Sequence, residues 1–118
     1  KSVVLSDLAV AYDASADQVL LSVKAVNLSG QNGTFALAFA IGEAGGLPLD
    51  VVGAAPVVLG AEEETFVLGL WTANGATSEI RLAEAAATFD GAPTNSVKAF
   101  FSTAGEAQAG ARDWNAYR

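Results

Sequence analysis

The chain of 118 residues has no cysteine and no histidine, and each absence closes a line of chemistry. Without cysteine there is no disulfide, and neither redox state nor compartment can be read from thiols. Without histidine the commonest metal ligand and general base are both missing. Charge is scarce: 16% of residues are charged, where an ordinary soluble domain carries about 25%. The six Lys and Arg are scattered and the net charge is −7, which excludes phosphate backbones and anionic membrane surfaces as partners and with them nucleic acid. No apolar run approaches the roughly 20 residues that a membrane-spanning helix needs. The chain opens at Lys1 with no secretory signal and no initiator methionine, as expected of a processed chain.

What is present is apolar and evenly spread. Hydrophobic residues make up 52% of the chain, and the mean hydropathy is +0.36. Their spacing has period two. Leu8, Val10 and Tyr12 alternate with Ala9 and Ala11, and Val19, Leu21, Val23 and Ala25 alternate with Leu20, Ser22, Lys24 and Val26. Phe35, Leu37, Phe39 and Ile41 alternate with Ala36, Ala38 and Ala40. Phe66, Leu68 and Leu70 follow against Val67, Gly69 and Trp71, then Ile80 and Leu82, then Val97, Ala99 and Phe101. Alternation of this kind places one face of a strand on a core, because successive side chains point to opposite sides. The larger member of each pair is expected inside.

Turn-forming clusters separate the runs: 13–17, 29–33, 42–46, Asn74-Gly75 and 90–93. Residues 48–59 are expected to add one or two short strands, with Pro56 at an edge or bend. The Ala-rich segment 80–87 has a helical alternative, but its place between strands favours a strand. The pattern predicts an all-β fold, an immunoglobulin-like antiparallel β-sandwich of about seven strands. It spans 7–103, between an N-terminal extension at 1–6 and a C-terminal tail at 104–118.

The order of these segments resembles a known family. Asp7-Leu-Ala-Val10 opens a strand, and LSVKAVNLSG follows with apolar residues two, four and six positions before Asn27. A Phe-led alternating strand comes next, then VVLGAEEETFVLGLWTA and TFDGAPTNS. Over Asp7 to Ser102 this is similar to the CARDB domain, a cell-adhesion-related relative of the immunoglobulin-like sandwiches in bacteria and archaea. The departure is a shortened polar stretch, Asp90 to Asn95, before the last strand. The resemblance implies an extracellular or surface-exposed structural or adhesive module without catalytic residues.

Candidate chemistry is sparse. Asn27-Leu-Ser29 and Asn32-Gly-Thr34 match the acceptor pattern for N-glycosylation, with strand capping and a tight turn as their structural alternatives. Glu62, Glu63 and Glu64, with Asp13, Asp17 and Asp50 in other loops, are oxygen donors of the type calcium uses, but no Asp-x-Asp-x-Asp-Gly loop is present and no metal or cofactor is expected. There is no Ser-His or Cys-His pair and no Gly-x-Ser-x-Gly elbow, so an enzyme is not expected. Trp71 and Trp114 are the side chains that could stack on a sugar ring if exposed.

The outward strand positions carry the main functional expectation. In a sandwich that stands alone they should be polar. Here they read as Ala9, Ala11, Ala36, Ala38, Ala40, Val67, Gly69, Ala83 and Ala85, an apolar surface that marks a partner. Ala36, Ala38, Ala40, Val67 and Trp71 are therefore a candidate assembly face. Val3, Val4 and Leu5 form an apolar triplet suited to adding a strand to the sheet edge of another subunit. The expected function is a non-catalytic structural subunit of an extracellular or cell-surface assembly, a homo-oligomer or a pilus-like filament. A virion decoration or capsid-associated protein, and an adhesive module that binds surface glycans, are the alternatives.

Overall fold

The computed structural model describes residues 3–43, 48–72 and 80–103, without the side chains of Pro48 and Leu49. Its strands are β1 (Val3–Asp13), β2 (Gln18–Asn27), β3 (Gly33–Glu43), β4 (Pro48–Gly53), β5 (Val57–Leu59), β6 (Glu64–Thr72), β7 (Ile80–Phe89), β8 (Ala92–Pro93) and β9 (Val97–Ser102). All pairings are antiparallel. One sheet has the order β1-β2-β6. In the other, β3 and β7 are central, β4 and β5 follow one another along β3, and β8 and β9 follow one another along β7. Three lanes thus face four, and the fold is an immunoglobulin-like antiparallel sandwich. The segment with a helical alternative is strand β7, held between β3 and β9.

Turn chemistry explains the connections. Asp90 and Gly91 both have positive φ, 51° and 83°, as a two-residue hairpin turn between β7 and β8 requires. Asp90 also bridges to β3, because its Oδ1 accepts from Thr34 N at 2.8 Å. Between β1 and β2, Asp13 Oδ1 accepts from Ser15 N at 3.1 Å and Ser15 Oγ at 2.8 Å, closing a local Asx turn. Pro56 lies exposed in the break between β4 and β5, where its missing N–H costs no ladder bond.

The core lies between the sheets, and its phase corrects several expectations. Phe35, Leu37, Phe39 and Ile41 are buried, with Ala36, Ala38 and Ala40 on the outer side, as read from the sequence. Strand β6 is inverted. Phe66 and Leu68 are 60% and 72% exposed, while Trp71 is buried and Val67 packs against the core. Gly69 shows why: a Cβ there would lie 2.7 Å from Phe39 Cδ2, so the ring of Phe39 occupies the space a side chain would take. Strand β7 is inverted too, with Ala83 and Ala85 fully buried and Ile80 exposed. Gly69 of β6 faces the large residues of β3 from the opposite sheet, and the alanines of β7 lie beside them in the same sheet, so that small and large side chains together fill the interior.

Residues 3–6 are not an extension but the start of β1. Val3 and Leu5 are buried in this chain's own core, Val4 is half-buried, and all three pair with β2 opposite Asn27, Val26 and Ala25. The alternation breaks at Asp7 because a bulge lies there: the register slips between Ser6 and Ala9, and Asp7 takes φ 57°. One extra residue shifts the inward set from Val3 and Leu5 to Leu8, Val10 and Tyr12 while the strand runs on. The donated-strand expectation for Val3, Val4 and Leu5 is corrected accordingly.

Candidate functional site

Asn27 closes β2 and organises two loops. Its side chain is fully buried. Nδ2 donates to Gln31 O at 2.9 Å, Gly60 O at 2.9 Å and Leu59 O at 3.2 Å. Oδ1 accepts from Ser29 N at 2.9 Å and Ser29 Oγ at 2.8 Å. The nitrogen a glycan would join is therefore enclosed and engaged, so Asn27 is a structural anchor and not a sugar acceptor. Asn32, by contrast, is exposed, and its Oδ1 receives Ala61 N at 2.8 Å. Together these contacts dock the 28–32 turn onto the 59–63 turn.

Most of the carboxylates considered for a cation have local duties. Glu63 Oε1 accepts from Gly60 N at 2.7 Å, Glu64 pairs with Lys24 at 2.9 Å, and Asp50 Oδ2 accepts from Trp71 Nε1 at 2.9 Å. Asp17 Oδ1 accepts from Tyr12 Oη at 2.8 Å. No group of three or more potential ligands could hold a metal ion among the described residues. The proton affinities of Tyr12, Asp13 and Lys24 follow from their contacts. Burial, then the hydrogen bond to Asp17 and the charges of Asp17 and Asp13, hold the Tyr12 phenol above its ordinary value. The Ser15 hydroxyl lowers Asp13, and the Glu64 carboxylate raises Lys24 through hydrogen bond and charge.

Trp71, expected on the outer face, points inward. Its ring meets Phe101 edge-on at 6.3 Å, and the Arg81 guanidinium lies 5.8 Å from its centroid. Buried and bonded through its indole N–H, it is neither a sugar platform nor part of an assembly face. Trp114 and Asn74-Gly75 lie outside the described residues.

Two outer faces remain. On the four-lane sheet, Ala36, Ala38, Ala86, Thr88 and Pro93 line a shallow open concavity of about 420 Å³. Of the candidate assembly residues, only Ala36, Ala38 and Ala40 lie on this face, and they are half-buried by their neighbours. On the three-lane sheet the register places Leu20 opposite Leu70, Ser22 opposite Leu68 and Lys24 opposite Phe66, with Ala9 and Ala11 alongside. Leu20 and Leu70 are 52% and 47% exposed. The result is a contiguous apolar surface with the Lys24–Glu64 pair at one end and a concavity of about 280 Å³ between Ala9, Ala11, Leu20 and Leu68. Reading the larger residue of each pair as internal missed this face. The signal that could have found it is Gly69, since a glycine flanked by leucines in a strand marks a close approach on its own side.

Fold and surface define an immunoglobulin-like sandwich with an apolar outer sheet. No protein-family model and no curated protein matches the chain. Solved structures do. The cycloisomaltooligosaccharide glucanotransferase of Paenibacillus sp. is similar with a TM-score of 0.66 at 17% identity over 88% of this chain and 14% of that one. The Amycolatopsis orientalis exo-chitosanase CsxA gives 0.56 at 22% identity, over 86% of this chain and 13% of that one. The Pseudomonas fluorescens alkylpurine DNA glycosylase AlkC, bound to DNA with an abasic site analog, gives 0.56 at 15% identity over 82% and 29%. At these identities the likeness is one of fold, and this chain matches a small part of each enzyme's length.

Proposed function

We propose that the chain is a non-catalytic structural module of an extracellular or cell-surface assembly, in which copies of the same sandwich associate. The observation that carries this reading is the apolar outer face of β1-β2-β6, with Leu20, Phe66, Leu68 and Leu70 side by side at a sheet surface that should be polar in a solitary domain. Each Å² of that face removed from water would contribute about 25 cal/mol. The lack of His and Cys, and the use of the carboxylates as turn and strand anchors, support a role without catalysis. The CARDB-like order of segments belongs to the same reading. Sedimentation velocity over a wide concentration range, with negative-stain microscopy, tests it. Concentration-dependent assembly lost in Phe66→Lys/Leu70→Lys is the expected result, and a monomer at every concentration overturns it.

A second reading has its own support. Two of the structural matches cover 14% and 13% of enzymes that act on saccharides. This chain would then be an accessory sandwich that lays the same face against a neighbouring domain of a larger protein. The isolated chain would stay monomeric, and joining it to that neighbour would protect the β6 amides from hydrogen exchange.

A further inference from the structure

The four sheet edges of this sandwich are not alike. At β1 the edge is bulged at Asp7 and closed by Asn95, whose Oδ1 accepts from Leu5 N at 2.8 Å and whose Nδ2 donates to Leu5 O at 2.9 Å. A side-chain amide thus stands in for a neighbouring strand. The edge of β4 and β5 is interrupted at 54–56 and carries Pro56, and that of β8 and β9 is split and carries Pro93 and Lys98. Interruptions, bulges, prolines and lysines are the devices that keep edges from pairing. Strand β6 has none of them. It runs nine residues, Glu64–Thr72, without proline, positive φ or register shift, and among the described residues no strand hydrogen-bonds to its outer side.

The direction of its backbone groups follows from one contact. Asn27 N donates to Glu63 O at 2.9 Å, so Glu63 and every second residue after it bond towards β2. Glu64, Phe66, Leu68, Leu70 and Thr72 therefore turn their N–H and C=O groups outward, and these include the three large side chains exposed on the outer face.

We infer that β6 pairs antiparallel with β6 of a second copy about a two-fold axis at Leu68, joining two three-lane sheets into one of six. Residue numbers facing one another then sum to 136: Leu68 meets Leu68, Phe66 meets Leu70, and Glu64 meets Thr72. Every facing pair of this set consists of residues whose backbone groups point outward, and the register uses the whole strand, forming roughly ten main-chain hydrogen bonds. The charges agree with it. Glu64 is the strand's only charged residue, it is already neutralised by Lys24, and in this register it meets a threonine and not its own copy. The exposed side chains of both copies merge into a single apolar strip across the joint. The two-fold arrangement is isologous, so it closes as a dimer that leaves the four-lane faces outside. A net charge of −7 on each copy opposes the approach, and added salt strengthens it.

This pairing rests on the self-association proposed above, and the experiment separates the two. The chain has no native cysteine. Leu68→Cys places two thiols on facing residues, about 5.5 Å apart at Cα, where a disulfide can form. Phe66→Cys and Leu70→Cys do not face themselves. Under mild oxidation Leu68→Cys is expected to cross-link at least about tenfold faster than either. Leu68→Pro removes one outward N–H without touching the bonds to β2 or the core, and should weaken dimerisation by roughly tenfold or more while circular dichroism stays native. A dimer that withstands Leu68→Pro but dissociates in Phe66→Lys/Leu70→Lys overturns edge pairing and leaves face association standing. Equal cross-linking at all three positions overturns edge pairing whether or not the proline variant folds. A wild-type chain that is monomeric throughout overturns both.

Discussion

Strands β3 and β6, one from each sheet, solve the same problem with opposite choices. In β3 the large residues Phe35, Leu37, Phe39 and Ile41 fill the core, and alanines form the outer surface. In β6 the inner positions are Val67, Gly69 and Trp71, and the large residues Phe66, Leu68 and Leu70 face outward. The second arrangement follows from the first. Once Phe39 projects across the interior, only a glycine can stand opposite it, and β6 yields its volume there. Interior packing does not explain why the outer side of β6 is large and apolar as well. A polar residue would serve a solitary domain better, and this excess is what points to a partner.

The largest test of this contrast deletes the same ring from opposite faces. Phe39→Ala should cost about 3–5 kcal/mol in denaturant unfolding, because it leaves a cavity where two sheets meet. Phe66→Ala, measured on the monomer, should stay within about 0.5 kcal/mol, as exposed positions do. Equal losses would mean that the phase of β6 is wrong.

A smaller difference separates the two asparagines of the 27–34 stretch. Asn27→Ala removes a buried amide from the carbonyls of Gln31, Leu59 and Gly60 and should cost about 2 kcal/mol, visible as a lower unfolding midpoint at constant m-value. Asn32→Ala gives up one exposed contact to Ala61 N and should cost less than about 1 kcal/mol. If the order is reversed, the turn and not the buried amide holds these loops together.

The weakest effect is in alkali and belongs to the three-lane sheet and its β1–β2 turn. Tyr12 and Lys24 both hold their protons more tightly folded than unfolded. Their contribution is complete below the ordinary values of about 10 and is lost as pH rises through the raised ones. Urea midpoints should be level through neutrality and decline above about pH 10. Tyr12→Phe should remove part of that decline. An unchanged slope would show that the Tyr12–Asp17 hydrogen bond carries no linkage.

Much of the fold was legible along the chain because a strand writes its period directly into side-chain order. The alternation of 19–25 and 35–41, the Asp90-Gly91 turn and the break at Pro56 all stand where their chemistry puts them. The candidate site was read less well. Period two tells which residues share a face but not which face is inside, and where both sets are apolar the larger one is a natural choice. That choice failed for 66–71 and 80–85, and it placed Trp71 outside when its indole is bonded to Asp50 within the fold. Asn27 could be read from the sequence as a strand cap or a sugar acceptor, because the 59–63 loop that helps enclose it is distant in sequence. The first six residues looked separate because a bulge shifts the alternation without ending the strand.

Sequence alone thus determined that this protein is a sandwich of antiparallel strands with turns at set places, since backbone period and turn chemistry are local. Tertiary structure decided which apolar set each strand buries, since that depends on the volume already occupied by the facing sheet. It also decided which edge is left open. Asn95 and Leu5, ninety positions apart, meet to seal β1, whereas nothing among the described residues seals β6.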